Sequence, residues 1–480
     1  MKKVLSTLGI AILSQFSFAQ ANCAGALAVT SGSTTTVSSY TGSFVGTCAG
    51  SGQATTPFAM WYKFTATANG ELTVSSDLPQ NNGLLKSDDT RLSIITGACT
   101  ALSCYGGNDD VSGTNYLSSV TVPVTAGTTY YIVWDNNWSN LGFDFTVNFN
   151  TVSCIRPSDF SFTAPTNITT NSASIGWSNA IGTPASYDVQ HGASGFALGT
   201  GTILNTGTNS ASLTNLPVGG NHSYYVRSNC GATQSAWVGP FSIFLAKTAP
   251  YSNSFEQPSL SNGFSSSTWS LGNAASGAQD GSIYYFSNSS TTAATNAQLY
   301  SRALSFTAGQ SVSASFWTRL GATGTAQNLK VYYNTTNSIT GATQVGTTIN
   351  VSGTTYTQQN VTFNIPTTGI YYIIFSNETP IVPTSTSLRL DNVNVTASTL
   401  GTNDLVISNG FSISPNPTPD ILNIKTDSKI NAVSVVDMTG RKVDVKLNGT
   451  QVDVRSLPAG TYLINIETKD GISTEKFIKK

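Results

Sequence analysis

This sequence of 480 residues contains few charged residues. Asp, Glu, Lys and Arg make up 9% of the chain, and the 22 basic residues nearly balance the 23 acidic ones; an average soluble domain is about 25% charged. Binding of nucleic acid or of anionic lipid needs a concentrated basic surface. The composition excludes both as the main activity, and we expect no nucleic-acid partner.

Catalytic motifs are also missing. The chain has two histidines, His191 and His222, and no Gly-x-Ser-x-Gly elbow, so the sequence gives little support for a Ser-His-Asp triad. It also contains no phosphate-binding loop. Glycoside hydrolysis by two carboxylates needs only a pair of acids across a groove. We predict that the protein is not an enzyme, and a carboxylate-based glycoside hydrolase or its accessory stays open as an alternative.

Long hydrophobic runs are absent except at the N-terminus. Lys2 and Lys3 precede an apolar run that ends at Ser17-Phe18-Ala19, which is typical of a signal peptide over residues 1–19. No later stretch reaches 18 apolar residues, so we expect no helical membrane span.

The six cysteines all lie in the first half of the chain and form no Cys-x-x-Cys motif, which argues against a zinc or redox site. An even number in an exported chain predicts disulfides, but six cysteines allow about 15 pairings. We hypothesise that consecutive cysteines in the sequence form the disulfides: Cys23 with Cys48, Cys99 with Cys104, and Cys154 with Cys230.

Alternation of apolar and polar residues dominates residues 22–404, and no sustained helical pattern occurs there. The sequence predicts an all-β fold: a multidomain chain of β-sandwiches, Ig-like or jelly-roll, with a small Ig-like sandwich at the C-terminus. The predicted units are residues 22–150, 154–248 and 249–397, a linker over 398–410, and a last module over 411–480.

The last module stands out by its charge, because residues 405–480 carry 18 of the 45 charged residues. Pro415-Asn-Pro417, Asp437-Met-Thr-Gly440 and Leu457-Pro-Ala-Gly460 occur in the order of the C-terminal sorting domain of type IX (Por) secretion cargo, which this module resembles. The resemblance implies recognition by the outer-membrane secretion machinery through residues 411–480. It also implies export across both membranes of a Gram-negative cell, to the surface or the medium.

The first unit, residues 22–150, resembles pre-peptidase C-terminal-like domains in Trp61-Tyr-Lys-Phe64 and Ala126-Gly-Thr-Thr-Tyr-Tyr-Ile132; such domains are non-catalytic sandwiches. Asn108-Asp-Asp-Val-Ser-Gly113 places oxygen ligands before a glycine, as calcium loops do. We consider a calcium ion held by Asp109 or Asp110, with help from Asp88 or Asp89; the alternative is a solvated turn.

The second unit, residues 154–248, resembles a fibronectin type III domain in the order of its Trp177, Tyr187 and Leu216-Pro217 positions. His222 stands where that family places its corner tyrosine. We therefore expect His222 to be a buried structural residue and not a catalytic base.

The third unit, residues 249–397, resembles cleaved-adhesin or choice-of-anchor jelly rolls, which are relatives of MAM domains, in its Phe255-Glu256 opening and its closing Leu390-Asp-Asn-Val393. First and last strands are neighbours in that fold, so Glu256 and Asp391 are expected to meet. Two converging carboxylates repel unless they share a cation, and calcium suits oxygen ligands. The alternative is that both carboxylates cap strand ends through backbone hydrogen bonds.

These features favour a secreted or cell-surface adhesin, or a polymer-binding protein, whose ligand is a carbohydrate or an extracellular matrix component. Trp138 and Trp269 are the candidates for stacking on sugar rings; for either of them the alternative is packing in a core. The alternative is a structural surface protein without a specific ligand, which would bury every tryptophan.

Overall fold

The computed structural model describes residues 20–44, 46, 48–49, 58–256, 263–399, 412–426, 428–469 and 471–480. The predicted signal peptide, most of the predicted linker and residue 411 lie outside these residues. The chain forms two compact units, Met1–Thr399 and Leu400–Lys480. Across the described ranges the regular structure is β-strand, apart from one 3-10 turn at Asp159–Ser161, so the predicted all-β class is confirmed.

The first sandwich contains ten strands in two sheets. They are β1 Leu27–Ala28, β2 Ser33–Val37, β3 Gly42–Ser43, β4 Phe58–Thr65, β5 Gly70–Ser75, β6 Arg91–Ala98, β7 Ala101–Asn108, β8 Ser119–Val124, β9 Thr129–Asp135 and β10 Phe143–Asn150. One sheet has the order β1-β4-β9-β6-β7 with β3 paired to β4, and the other has the order β2-β10-β5-β8.

Alternation along β10 shows why these segments become strands. Phe143, Phe145 and Val147 are fully buried in the core between the two sheets, because successive side chains of a strand point to opposite faces. Asp144 points to the other face, where it pairs with Lys86 and accepts a hydrogen bond from Thr36 Oγ1 at 2.7 Å.

Three disulfides are present, and two of the predicted pairings are wrong. The bonds join Cys23 to Cys99, Cys48 to Cys104, and Cys154 to Cys230; only the last was predicted. Cys99 lies in the turn between β6 and β7 and Cys104 lies within β7. Each therefore reaches a different part of the N-terminal segment, and the two bonds attach that segment to the β6–β7 hairpin.

The second sandwich packs a three-stranded sheet on a four-stranded one. Its strands are β11 Thr163–Thr166, β12 Ala173–Gly176, β13 Ser186–Ala193, β14 Thr202–Thr206, β15 Ser210–Leu213, β16 Asn221–Asn229 and β17 Val238–Phe244, in the sheet orders β11-β12-β15 and β14-β13-β16-β17. Trp177 and Tyr187 are both buried in its core, with ring centroids 5.2 Å apart.

The third sandwich is the largest, with two six-stranded sheets. Its strands are β18 Lys247–Thr248, β19 Tyr251–Asn253, β20 Ser270–Asn273, β21 Ile283–Asn288, β22 Ala297–Tyr300, β23 Leu304–Phe306, β24 Gln310–Leu320, β25 Gln327–Asn334, β26 Thr343–Val351, β27 Thr357–Asn364, β28 Gly369–Asn377 and β29 Ser387–Thr399. β19, the first strand within the predicted unit 249–397, pairs with the last strand β29, so these two strands are neighbours as expected. The β18–β23 pair begins at Lys247, two residues before the predicted boundary.

A buried arginine joins the second and third sandwiches. Arg302 is 3% exposed and donates to the carbonyl oxygens of Leu245 at 2.7 Å, Gly219 at 3.1 Å and Gly220 at 2.9 Å. It also donates to Asn221 Oδ1 at 2.5 Å. Because a buried guanidinium needs acceptors for its donors, these bonds fix one sandwich against the other.

The C-terminal module has its own core and eight strands. They are β30 Ser412–Ser414, β31 Ile421–Lys425, β32 Ile430–Asp437, β33 Lys442–Val443, β34 Lys446–Asn448, β35 Gln451–Asp453, β36 Gly460–Thr468 and β37 Gly471–Lys479, in the sheet orders β30-β31-β35-β34 and β33-β32-β36-β37. Leu422, Ile464 and Phe477 are fully buried between the sheets.

Candidate functional site

Three loops meet at one end of the first sandwich, and we call them together the loop end: residues 76–90, 109–118 and 136–142. Backbone hydrogen bonds join the first loop to the other two, from Ser87 N to Gly142 O at 2.9 Å and from Thr90 N to Tyr116 O at 3.0 Å. The indole N–H of Trp138 donates to Asp109 Oδ1 at 2.8 Å, and this bond joins the third loop to the second. The loop end is therefore a preformed surface held by contacts between its own segments.

Apolar side chains are concentrated on the loop end. Sixteen large hydrophobic residues are exposed in the described part of the chain, and six of them lie in these loops: Leu84, Leu85, Val111, Tyr116, Trp138 and Leu141. Leu84 and Leu85 are 80% and 90% exposed, at the tip of a turn in which Gly83 N donates to Lys86 O at 2.8 Å. Exposed apolar patches of this kind mark interaction surfaces.

The two tryptophans proposed for sugar stacking have different positions. Trp138 is 51% exposed, whereas Trp269 is 5% exposed and donates its indole N–H to Ala297 O at 3.0 Å inside the third core. For Trp269 the alternative of core packing is therefore confirmed, and its ring is not available for stacking on a sugar. The chain's other five tryptophans are buried or half-buried, which leaves Trp138 as its exposed one.

The loop end is strongly acidic. Its sequence contains five aspartates and one lysine, Lys86, and Lys86 already pairs with Asp144. Beneath the loops, Arg91 is buried and engaged by Asp135, with Nε 2.9 Å from Oδ2. Burial first, and then the charges of three neighbouring aspartates, raise the pKa of Asp89 to about 6; those neighbours are Asp109, Asp110 and Asp88.

The structure thus brings Asp88, Asp89, Asp109 and Asp110 close enough to interact electrostatically. The turn after β7 is organised by Asn108, whose Oδ1 accepts from Ser119 N at 2.7 Å and whose Nδ2 donates to Asp110 O at 3.0 Å. Over the described residues, no three His, Cys, Asp or Glu side chains are grouped so that they could hold a metal ion. Calcium at Asp109 or Asp110 stays a prediction.

The other carboxylates predicted to meet do approach the same loop, between β20 and β21. Asp391 Oδ2 accepts from Gln279 N at 2.7 Å and from Asp280 N at 3.2 Å. Glu256 Oε1 accepts from Ser282 N at 2.7 Å and from Ile283 N at 2.5 Å. The bonds of Glu256 cap the start of β21, as in the alternative without calcium, whereas those of Asp391 reach the loop that precedes β21.

Burial dominates the chemistry of Asp391. Its side chain has no exposed surface, and desolvation raises its pKa to about 6 in spite of three backbone N–H donors, the third from Asn392. A carboxylate offers about four lone-pair positions, and the described donors occupy three of those on Asp391. Among the described residues, Oε2 of Glu256 accepts from Ser282 Oγ at 3.4 Å, and this set fits a cation if backbone carbonyls supply most of the ligands that calcium needs.

His222 takes the structural role expected of it. It is 3% exposed, and its Nδ1 lies 3.2 Å from Gly192 O. His191 is half-buried in the neighbouring strand β13.

The motifs of the C-terminal module hold its fold together. Asp437 Oδ1 accepts from Thr439 Oγ1 at 2.6 Å and Thr439 N at 2.9 Å, and these bonds, led by the hydroxyl, lower its pKa to about 2. Tyr462 Oη donates to Pro458 O at 2.9 Å. Asn416 Oδ1 accepts from Ile478 N at 2.9 Å, which ties the Pro-Asn-Pro segment to the last strand.

Residues 412–480 match the family of secretion system C-terminal sorting domains. The chain is therefore a cargo of the type IX secretion system, and it is exported to the cell surface or the medium. No helix in the described residues is long and apolar enough to cross a membrane.

Similar solved structures are β-sandwich domains that span about a third of the chain. The CBM22-1 xylan-binding domain of Paenibacillus barcinonensis Xyn10C has 14% identity and a TM-score of 0.25, covering 32% of this chain and 100% of its own. The K1 cleaved adhesin domain of Lys-gingipain from Porphyromonas gingivalis W83 has 16% identity and a TM-score of 0.26, covering 32% and 99%. No curated protein matches the chain. Likenesses of this size carry no argument about its ligand.

Proposed function

We propose that the exported protein is an adhesin that binds an extracellular polymer, a polysaccharide or a matrix protein, through the loop end of its first sandwich. It catalyses no reaction in this proposal. The C-terminal module serves transport, and the remaining sandwiches support and position the binding surface.

The exposure of Trp138 carries the proposal. A purely structural surface protein would bury its tryptophans, since an exposed indole costs free energy that burial would recover. Here the indole N–H is held by Asp109, so the ring is kept in one place with about half of its surface accessible. A fixed, half-exposed aromatic ring is suited to contact with a polymer.

Binding of the secreted protein to immobilised polysaccharides and matrix proteins tests the proposal. The Trp138→Ala variant should lose at least tenfold in affinity. Phe160→Ala, which removes another half-exposed aromatic outside the loop end, is the matched control and should bind as the parent does. Equal binding by Trp138→Ala and the parent would refute the proposal. Release of soluble sugar from any bound polysaccharide would instead favour the glycosidase alternative.

We also propose that residues 154–248 are a fibronectin type III module and residues 22–150 a pre-peptidase C-terminal-like module. The sheet orders β11-β12-β15 and β14-β13-β16-β17 support the first assignment, because they are those of a seven-stranded sandwich with an ABE and a C′CFG sheet. Neither module brings catalytic residues to the proposed function.

Calcium at Glu256 and Asp391 is a separate proposal. The support for it is the cost of keeping an ionised carboxylate buried at neutral pH, which the raised pKa of Asp391 expresses. When bound, calcium would supply positive charge that offsets this cost and would tie the first and last strands of the third sandwich together. Its role would be structural.

A further inference from the structure

The loop end has a chemical character that narrows the kind of polymer it would bind, and this inference rests on the proposed function. We propose that the loop end docks a basic polypeptide segment, one that carries lysine or arginine together with aliphatic side chains, on the surface of an extracellular protein.

The aliphatic side chains are the first argument. Of the six exposed apolar residues, only Trp138 and Tyr116 have a planar ring for stacking on a sugar. The most exposed positions are Leu84 and Leu85, with Val111 and Leu141 at 41% and 45%. Sugar rings present hydroxyl groups to such side chains, whereas leucine and valine side chains of a protein partner would bury apolar area against them, at about 25 cal/mol per Å².

Charge complementarity is the second argument. Asp88, Asp89, Asp109 and Asp110 lie beside the apolar residues, while Lys86 is engaged by Asp144 and Arg91 by Asp135. The aspartates repel one another, and a cation brought by a partner would lower that repulsion. A neutral polysaccharide supplies none, and an acidic polysaccharide or an anionic lipid surface would be repelled.

The state of the surface before binding is the third argument. The three loops are held together by the bonds from Ser87 to Gly142, from Thr90 to Tyr116 and from Trp138 to Asp109. Docking on this surface orders little additional backbone, so little of the interaction free energy is spent on conformational entropy. The Leu84–Leu85 turn projects as an anchor, and such apolar anchors carry much of the energy of protein interfaces.

Sequence inspection missed the leucine pair. Asn81-Asn-Gly-Leu-Leu-Lys-Ser-Asp-Asp89 looks like a polar loop in which Gly83 and the asparagines set the turn. The available signal was two consecutive leucines at the tip of such a loop, because loops are normally polar unless they serve a function.

The test measures binding of the secreted protein to a surface-bound peptide of alternating lysine and leucine. The comparison probes are a lysine–serine peptide, a glutamate–leucine peptide, xylan, and phosphatidylcholine vesicles. We expect the lysine–leucine peptide to bind at least tenfold more tightly than each of the others, and raised salt to weaken it because exposed charges are screened.

Variants locate the binding. The double variant Leu84→Ser/Leu85→Ser should lose at least tenfold in affinity for the lysine–leucine peptide, and Asp88→Asn/Asp110→Asn should reduce the salt dependence. Val218→Ser/Ile381→Ser removes two exposed aliphatic residues outside the loop end, at 72% and 59% exposure, and should bind as the parent does. All variants change exposed residues, and circular dichroism verifies that each is folded.

Unchanged binding by Leu84→Ser/Leu85→Ser, or equal binding of the glutamate–leucine peptide, would overturn the inference. If the protein binds xylan but not the lysine–leucine peptide, and Trp138→Ala loses that binding, the proposed function stands and this inference fails; binding to vesicles alone would contradict both. If no polymer or protein binds at the loop end, both fail.

Discussion

Two groups of carboxylates in this molecule differ in how the fold treats their charge. At the loop end of the first sandwich, four aspartates lie at or near the surface, and the one lysine of these loops, Lys86, pairs with Asp144 instead. In the third sandwich, Asp391 is fully buried, and both Asp391 and Glu256 accept backbone N–H groups from the segment between β20 and β21. The first arrangement presents negative charge at the surface, where a partner can approach it, whereas the second holds its carboxylates inside the fold through backbone N–H groups.

The sequence suggests calcium for both groups, from oxygen ligands before Gly113 at the loop end and from the resemblance to a jelly roll for Glu256 and Asp391. Burial and the direction of the backbone N–H groups decide the outcome, and both depend on strands that are far apart in the chain. Four experiments can break or sharpen this comparison.

Asp391→Ala should have the largest effect. It leaves the N–H groups of Gln279, Asp280 and Asn392 without their acceptor in a buried place, at a cost of about 1 to 3 kcal/mol for each unpaired group. We expect the third sandwich to lose about 3 kcal/mol or more, measured by calorimetry on the secreted protein. Asp110→Ala, at the exposed loop end, should change stability by less than about 0.5 kcal/mol. Similar losses of stability in both variants would contradict the difference between the two groups of carboxylates.

Calcium should have the second-largest effect on stability, and this effect should differ between the two groups of carboxylates. If Glu256 and Asp391 hold the ion, calcium at 100 times its dissociation constant stabilises the third sandwich by about 2.7 kcal/mol. The increase should disappear in Asp391→Asn and persist in Asp109→Asn/Asp110→Asn. A chelator that leaves the melting of the third sandwich unchanged would rule out the ion there, and a calcium effect lost only in the second variant would place it at the loop end.

The pH dependence of stability should follow Asp391. Its folded pKa of about 6 lies above the ordinary value of 3.8, so the folded state binds the proton more tightly than the unfolded state does. The stability that this gives is fully present below about pH 4 and is lost as the pH rises through 6. In the presence of a chelator we expect about 2 kcal/mol less stability in the third sandwich at pH 7 than at pH 4, and a flat profile from this group in Asp391→Asn.

Asp89→Asn should have the smallest effect, in the opposite direction from Asp391→Ala. It removes one of four mutually repelling charges, so the first sandwich should gain up to about 0.5 kcal/mol at pH 7, measured as a rise in its melting temperature. Asp77→Asn, an exposed change in the same loop, is the control. A loss of stability in Asp89→Asn would mean that its charge is satisfied by the fold.

Local patterns made much of the fold predictable. The alternation of Phe143, Phe145 and Val147 defined a strand and its buried face, because that information lies within a few residues. The disulfide partner of Cys99 could not be predicted from such local patterns. Cys99 lies in a hairpin turn and Cys104 in the following strand, and which N-terminal cysteine each reaches depends on how β1, β3 and β4 assemble.

The candidate site was predictable only in part, and Trp138 and Trp269 show why. Each is flanked by serine, threonine or asparagine, in Asn-Asn-Trp-Ser and Ser-Thr-Trp-Ser, so the local sequence suggests exposure for both. Trp269 is buried because Ala297, 28 residues further on, accepts its indole N–H within the third core. Trp138 has its hydrogen-bond partner at the surface, and no local pattern distinguishes the two cases.

The disulfides have a mechanical consequence for a chain held at one point and pulled at another. Tension that enters near Gln20 passes through the bond between Cys23 and Cys99, which are 76 positions apart, and bypasses the strands between them. The bond from Cys154 to Cys230 diverts force around most of the second sandwich in the same way. If the chain between the two cysteines unravelled, the protein would lengthen by an amount on the order of 250 Å. Each disulfide prevents this extension. Under load, the cross-linked parts of these two domains would not lengthen while the disulfides remain oxidised.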